Sequence, residues 1–200
     1  MARFWLLVYS LAGLGAWVGL ALLGFSYLVY LALPGIPVFI WHLTLVRRRS
    51  ERRQMGVELV GAGVLALSAT AAYWVSAGEP ACLGWWLGGL AWLQSSASIV
   101  YAYLRLAQRA LPSTPPLAER LRMGSRSLLY STFNLAFVIG LGALQVVPRW
   151  LFVAYLIQWL EAIFGTFVPA IGAKPTSIGF RQLFISIVFT FVFILSWRIQ

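Results

Sequence analysis

The sequence predicts an all-α fold, a polytopic transmembrane helical bundle of about seven spans, and three observations carry that expectation. From Phe4 to Val46 the chain runs 43 residues without Asp, Glu, Lys or Arg. That is about twice the roughly 20 apolar residues a helix needs to cross a bilayer core, so it reads as two spans back to back. Only 10% of the 200 residues are charged and 61% are hydrophobic, against about 25% charged in a soluble domain. This leaves no room for a soluble part, and residues 1–200 read as a single integral membrane domain. Finally, the basic residues gather between the apolar runs, as they do at the cytoplasmic ends of membrane helices.

The first span is expected from Phe4 to about Leu23. Arg3 before an apolar run resembles a signal peptide, but no small-residue cleavage site followed by a polar mature region comes after it, so the span is expected to be retained. Gly24-Phe25-Ser26 is the thin turn before the second span, Phe25 to Val46. Pro34-Gly35-Ile36-Pro37 is a stronger breaker. A turn there would leave only Val38 to Val46, about 13 Å of helix against a core of about 30 Å, so the prolines are expected to kink or briefly break the span. The third span, Val57 to Ala77, opens on Glu58, a carboxylate favoured at a helix N-terminus and within reach of Arg52 or Arg53.

The fourth span, Leu83 to Leu104, carries Gln94-Ser95-Ser96-Ala97-Ser98 at mid-length, where small hydroxylic side chains allow close approach and interhelical hydrogen bonds. Gly84 and Gly88, like Gly15 and Gly19, have the Gly-x-x-x-Gly spacing of tight helix packing. Arg105 to Arg126, with Pro112, Pro115 and Pro116, is expected to be a partly mobile cytoplasmic linker with at most one interfacial turn near Leu117 to Met123. The fifth, sixth and seventh spans are expected at Ser127 to Val147, Trp150 to Val168 and Gln182 to Trp197.

With the N-terminus in the cytoplasm, 13 Lys and Arg residues fall inside and only Arg149 and Arg198 outside. The positive-inside rule therefore puts the N-terminus in the cytoplasm and the C-terminus outside. Trp74, Trp85, Trp86, Trp150 and Trp197 fall near outer span ends and Trp5 and Trp41 near inner ones, as an aromatic belt would. The net charge of +10 is then topological, and no nucleic-acid partner is expected. No internal repeat supports an inverted-repeat transporter.

The chain resembles the YwiC-like family of bacterial membrane proteins. The resemblance rests on Leu33-Pro34-Gly35-Ile36-Pro37, on Arg47-Arg48-Arg49-Ser50 followed by Glu58-Leu59-Val60-Gly61-Ala62, on Val100-Tyr101-Ala102-Tyr103-Leu104-Arg105, and on Ala173-Lys174-Pro175-Thr176-Ser177-Ile178-Gly179. The His-Gly-Ala-Trp segment with which members of that family usually begin is lacking here. The resemblance implies the architecture and a bacterial cytoplasmic membrane, and it implies no established activity.

Absences bound the chemistry. There is no aspartate and there are only five glutamates, none paired within helical reach. A magnesium-diphosphate site of the intramembrane prenyltransferase kind needs several carboxylate oxygens and is close to excluded. One histidine and one cysteine rule out a His-rich metal site, a bis-His haem or a Ser-His-Asp triad. No Gly-rich loop leads into Lys-Ser/Thr, so no P-loop is present. No metal is expected, and the chain is not expected to be an enzyme.

The candidate polar or ligand contacts are Glu161, Gln158, Asn134 and His42. Glu161 lies about 10 Å inside its span, where a carboxylate must face protein or water. Gln158 shares its helical face, and Asn134 lies at a similar depth on the fifth span. Glu161 and Asn134 are expected to hydrogen-bond as a packing clasp, with a proton or ligand site as the alternative. His42, one turn inside the second span, would bond a backbone carbonyl or headgroup, or else ligate a chlorophyll-type pigment or bond a quinone.

These features favour a non-catalytic accessory or structural subunit of a larger membrane complex. Its partners would be membrane lipids and other membrane subunits, with lipid, quinone or pigment held between its helices. The alternative is a small transporter with a cytoplasm-facing polar site at Glu161, Gln158 and Asn134. An intramembrane enzyme would have only Glu161 or His42 to work with.

Overall fold

The computed structural model describes residues 2–47 and 55–199, with side chains described from 4 to 45 and from 55 to 199. The basic cluster Arg48-Arg49-Ser50-Glu51-Arg52-Arg53, and with it the expected pairing of Glu58 to Arg52 or Arg53, lies outside the described residues. Among the described residues every regular element is helical. The helices group into two compact units, Met1–Ala91 and Trp92–Gln200. Four runs are long and apolar enough to cross a membrane: Phe4–Ala32, Met55–Ala77, Arg149–Phe167 and Pro175–Arg198.

The first unit opens with α1 (Ala2–Leu20), which winds into a π-helical turn over Ala21–Phe25. Gly24 sits in that turn at φ 96°, left-handed backbone that a side chain would oppose. This is the break expected at Gly24-Phe25-Ser26. The second span is not one helix. A 3-10 turn at Ser26–Leu28 leads into α2 (Val29–Ala32), the chain turns at Leu33 and Pro34, and α3 (Gly35–Arg47) follows. Pro37 lies in the first turn of α3, where its missing N–H has no intrahelical role. The prolines therefore break the span, as expected, and split it into two short helices.

Helices α4 (Met55–Ala77) and α5 (Cys82–Gln108) complete the unit. Trp74 is 3% exposed and packs on Leu28 and Leu31, so it is a core residue and not part of an aromatic belt. Its indole N–H donates to the Ala81 carbonyl at 2.8 Å, and its own carbonyl accepts from the Tyr27 hydroxyl at 3.1 Å. The Gly84–Gly88 pair makes this packing possible. A Cβ on Gly84 would stand 2.5 Å from Trp74 Nε1, and one on Gly88 would collide with Thr70 Oγ1. Thr70 and Trp74 are one turn apart on α4, as the glycines are on α5, so two small-residue gaps receive two side chains.

The second unit comprises α5 from Trp92 onward, α6 (Leu117–Ala143), a 3-10 turn at Arg149–Leu151 running into α7 (Phe152–Phe167), and α8 (Pro175–Arg198). Helix α6 begins at Leu117 and not at Ser127, and α5 runs on to Gln108. Much of the stretch from Arg105 to Arg126 is thus helical, and the connection narrows to Arg109 through Pro116. Pro116 is the N-cap residue of α6, a position where proline forfeits nothing.

Helix α6 ends in a Schellman motif. The Gln145 N–H donates to the Gly142 carbonyl and the Val146 N–H to that of Leu141. Its left-handed position, commonly glycine, is held by Gln145 at φ 58°. Leu151, Ala154, Tyr155 and Ala162 of α7 and the turn before it are buried, with Tyr155 edge-on to Phe189 of α8.

Gly88→Val places branched carbons where Thr70 Oγ1 stands, and overpacking of this kind destabilises by about 1–3 kcal/mol. The unfolding midpoint of the detergent-solubilised variant is expected to fall by that equivalent. An unchanged midpoint would mean that α4 and α5 do not meet there.

Candidate functional site

A polar seam runs along the second unit. Gln94, Ser98, Tyr101, Arg105 and Gln108 recur every three or four residues on α5, which places them on one helical face. Fourteen residues of rise give that face about 21 Å. Gln158, Glu161 and Gly165 oppose it from α7, again at helical spacing.

At one end of the seam Gln94 Nε2 donates to Gln158 Oε1 at 3.2 Å, and the Ser98 hydroxyl donates to the same oxygen at 3.3 Å. The expectation of interhelical hydrogen bonds from the Gln94–Ser98 stretch is met here. Gln94 Oε1 and Gln158 Nε2 are buried without a partner.

At the centre lies Glu161, 6% exposed. Arg181 of α8 grips it through two parallel bonds, Nε to Oε1 at 2.5 Å and Nη2 to Oε2 at 2.9 Å. This fork geometry is the strongest form of the ion pair. The Tyr101 hydroxyl, wholly buried, donates to Oε1 at 2.8 Å. The Arg181 guanidinium also lies 4.4 Å from the centroid of the Phe164 ring, a cation–π contact. Gly165 admits Tyr101, because a Cβ there would stand 2.6 Å from the phenol oxygen.

The far end closes the C-terminus of α7. Helix ends leave four carbonyls without intrahelical donors, a serious penalty away from water. Arg105 Nη1 donates to the carbonyls of Val168 at 2.6 Å and Gly165 at 3.2 Å, while Gln108 Nε2 reaches Gly165 at 2.8 Å. Arg120 of α6 takes the Phe167 carbonyl at 2.7 Å. Cations suit this negative end of the helix dipole.

The sequence-derived candidates separate. Glu161 and Gln158 both lie in the seam. Asn134 is buried, but it donates to the Leu93 carbonyl at 2.6 Å and tethers α6 to α5, so the expected Glu161–Asn134 clasp does not form. A guanidinium supplies two charge-assisted bonds where an amide would supply one neutral dipole, and Arg181 takes the carboxylate. His42 is an exposed residue of α3 in the first unit.

Tyr101, Arg105, Gln108 and Arg181 belong to the site but do not stand out in the sequence as candidates. Arg181 falls just before the seventh span expected from Gln182, whereas α8 begins at Pro175. Lys174-Pro175, a proline at the first helical position, signalled the earlier start. For the other three the signal was the 94-98-101-105-108 spacing itself. Among the described residues no cluster of His, Cys, Asp and Glu could hold a metal ion.

No protein-family model, curated protein or solved structure matches the chain.

Glu161→Gln and Arg181→Gln are each expected to lower stability by about 1–3 kcal/mol, the cost of an unsatisfied buried group, since solvent access to Arg181 softens the loss of its partner. The double variant should lose less than the sum. A coupling of about 0.5–3 kcal/mol in a double-mutant cycle of unfolding midpoints is expected, and strict additivity would show that the pair contributes nothing. Arg105→Leu strands the Val168 carbonyl and leaves that of Gly165 to Gln108 alone. Amide exchange over residues 165–173 should accelerate relative to the middle of α7, and unchanged protection there would count against the cap.

Proposed function

We propose that this chain is a bacterial inner-membrane protein of seven spans, with its N-terminus in the cytoplasm and its C-terminus outside, related to the YwiC-like family. In this reading it acts as a non-catalytic accessory or structural subunit of a larger membrane complex. It packs against lipid, quinone or pigment and against other membrane subunits, and it takes no nucleic acid. The observation that carries the reading is the saturation of Glu161. The one carboxylate deep in an apolar helix already has Arg181 on both oxygens and Tyr101 on one, so it is committed to holding α5, α7 and α8 together. Wide apolar faces support the same reading, since Phe180, Phe184 and Phe191 of α8 are each more than 60% exposed.

One observation favours a transporter instead. The Arg181 side chain is 43% exposed, and a guanidinium at the rim of a polar seam is a natural first contact for an anionic substrate.

Purification from native membranes in mild detergent separates the two. The subunit reading expects a partner polypeptide at fixed stoichiometry, or a bound quinone or pigment, surviving in both wild type and Glu161→Gln. A bare monodisperse chain that drives solute uptake in liposomes, with uptake abolished by Glu161→Gln, would sink it. Orientation has its own test, because Cys82 is exposed and is the only thiol. A membrane-impermeant maleimide should label it in intact spheroplasts. Labelling confined to inverted vesicles would reverse the topology.

A further inference from the structure

The end of the second unit opposite the arginine-capped terminus of α7 contains two cavities that share one residue. The first, about 340 Å³, is lined by Gln145, Val147, Pro148, Arg149, Trp150, Ser196 and Ile199. The second, about 330 Å³, is lined by Ile139, Gly142, Ala143, Phe152 and the same Arg149. Both lie at the low end of the roughly 300–1,000 Å³ of small-ligand pockets.

Their chemistries differ. The first carries an amide, a guanidinium and a hydroxyl, and the second is apolar apart from Arg149. Neither contains an acidic residue. Arg149 is exposed and has no hydrogen-bond or ion-pair acceptor among the described residues. The turn that begins at Arg149 runs on into α7, and the first amides of a helix have no intrahelical acceptors and favour an anion. The strained residue of the unit is here as well. Gln145 occupies the left-handed position of the Schellman motif at φ 58°, where glycine would relieve the strain, and it lines the first cavity. Strain retained at a concave, cationic place is a reason to look for a ligand.

We propose that Arg149 anchors the phosphate of an anionic phospholipid. The phosphate and its polar headgroup occupy the cavity of Gln145 and Ser196, and the glycerol and first acyl carbons lie in the cavity of Ile139, Ala143 and Phe152. A cation standing between a polar and an apolar chamber matches an amphipathic anion better than a free ion, which would need only the first chamber. Among the described residues neither cavity offers a carboxylate to recognise a headgroup ammonium. The lipid is therefore one of phosphatidylglycerol type. The inference requires only that the chain lies in a bilayer, and it stands apart from the subunit reading above.

The test titrates the full detergent-solubilised chain with phosphatidylglycerol, phosphatidylcholine and inorganic phosphate, following the melting temperature. Phosphatidylglycerol should raise it saturably, since a ligand that binds only the folded state stabilises it. Phosphatidylcholine should act more weakly, and inorganic phosphate at equal concentration should leave it unmoved. Arg149→Gln should weaken the apparent affinity for phosphatidylglycerol about tenfold or more, whereas Arg126→Gln, an exposed residue on α6 outside both cavities, should not. Ala143→Phe, which fills the apolar chamber, should weaken the lipid response with Arg149 intact, and it serves if Arg149→Gln does not fold. Equal responses to the two lipids, a matching response to inorganic phosphate, or a phosphatidylglycerol response unchanged in the variants would each overturn the proposal.

Discussion

The architecture of the second unit depends on one constraint, that polar groups kept from water must find partners within the protein. The Glu161–Arg181 fork is its clearest expression. The carboxylate on α7 is buried and would be costly alone, and the more exposed guanidinium of α8 reaches in to it. Together, and with the Tyr101 hydroxyl, they tie three helices at one point. Buried ion pairs often add little net stability compared with well-packed apolar residues, but removing one partner is expensive. Such a pair therefore fixes which helices meet, and at what register, more than it deepens the energy minimum.

The same constraint explains where the arginines of the second unit go. Arg105 and Arg120 could be taken simply as markers of a cytoplasmic boundary. Both instead reach back to the carbonyls of the last turn of α7, joined by Gln108. A helix that ends against other helices must have its terminal acceptors filled, and a long side chain can do this from a neighbouring helix. The basic residues at this end thus serve packing, a role that a count of charges alone does not reveal.

Much of the fold was legible because hydropathy and punctuation are local signals. The break at Gly24, the interruption at Pro34, the start of α4, the close packing at Gly84 and Gly88 and the hydrogen bonds of Ser98 all follow from residue type at a given spacing. The polar site was only half legible. Glu161 and Gln158 stood out because polar residues in an apolar helix are costly. Their partners did not, because Arg181, Arg105 and Gln108 sat at assumed span ends where polar residues need no explanation. Helix ends read from apolarity alone stop where the first charge appears, but α5, α6 and α8 continue through theirs. Trp74 misled for a related reason. A tryptophan near a span end suits an interface as well as a core, and only the glycines opposite it on α5 distinguish the two.

The relation between apolarity and burial argues that lipid is the solvent for these helices. Among the four membrane-length runs, Phe4–Ala32 and Pro175–Arg198 are the most apolar and bury 0% and 11% of their most apolar stretch. Met55–Ala77 is intermediate and buries 17%, whereas Arg149–Phe167 is the least apolar and buries 44%. A water-soluble fold would reverse this order, because its exposed helices would be the polar ones. Here the run most covered by protein carries the glutamate and the glutamine of the polar seam, and the least covered runs have the highest mean hydropathy. This is the pattern expected when association between helices relies on polar contacts and close packing, with no hydrophobic drive to bring them together. Helices α5 and α6, each 27 residues and long enough to span, fall outside the four on the same logic. The Gln94–Gln108 stripe on α5 and the buried Ser127, Ser131 and Asn134 on α6 lower their apolarity because they face protein.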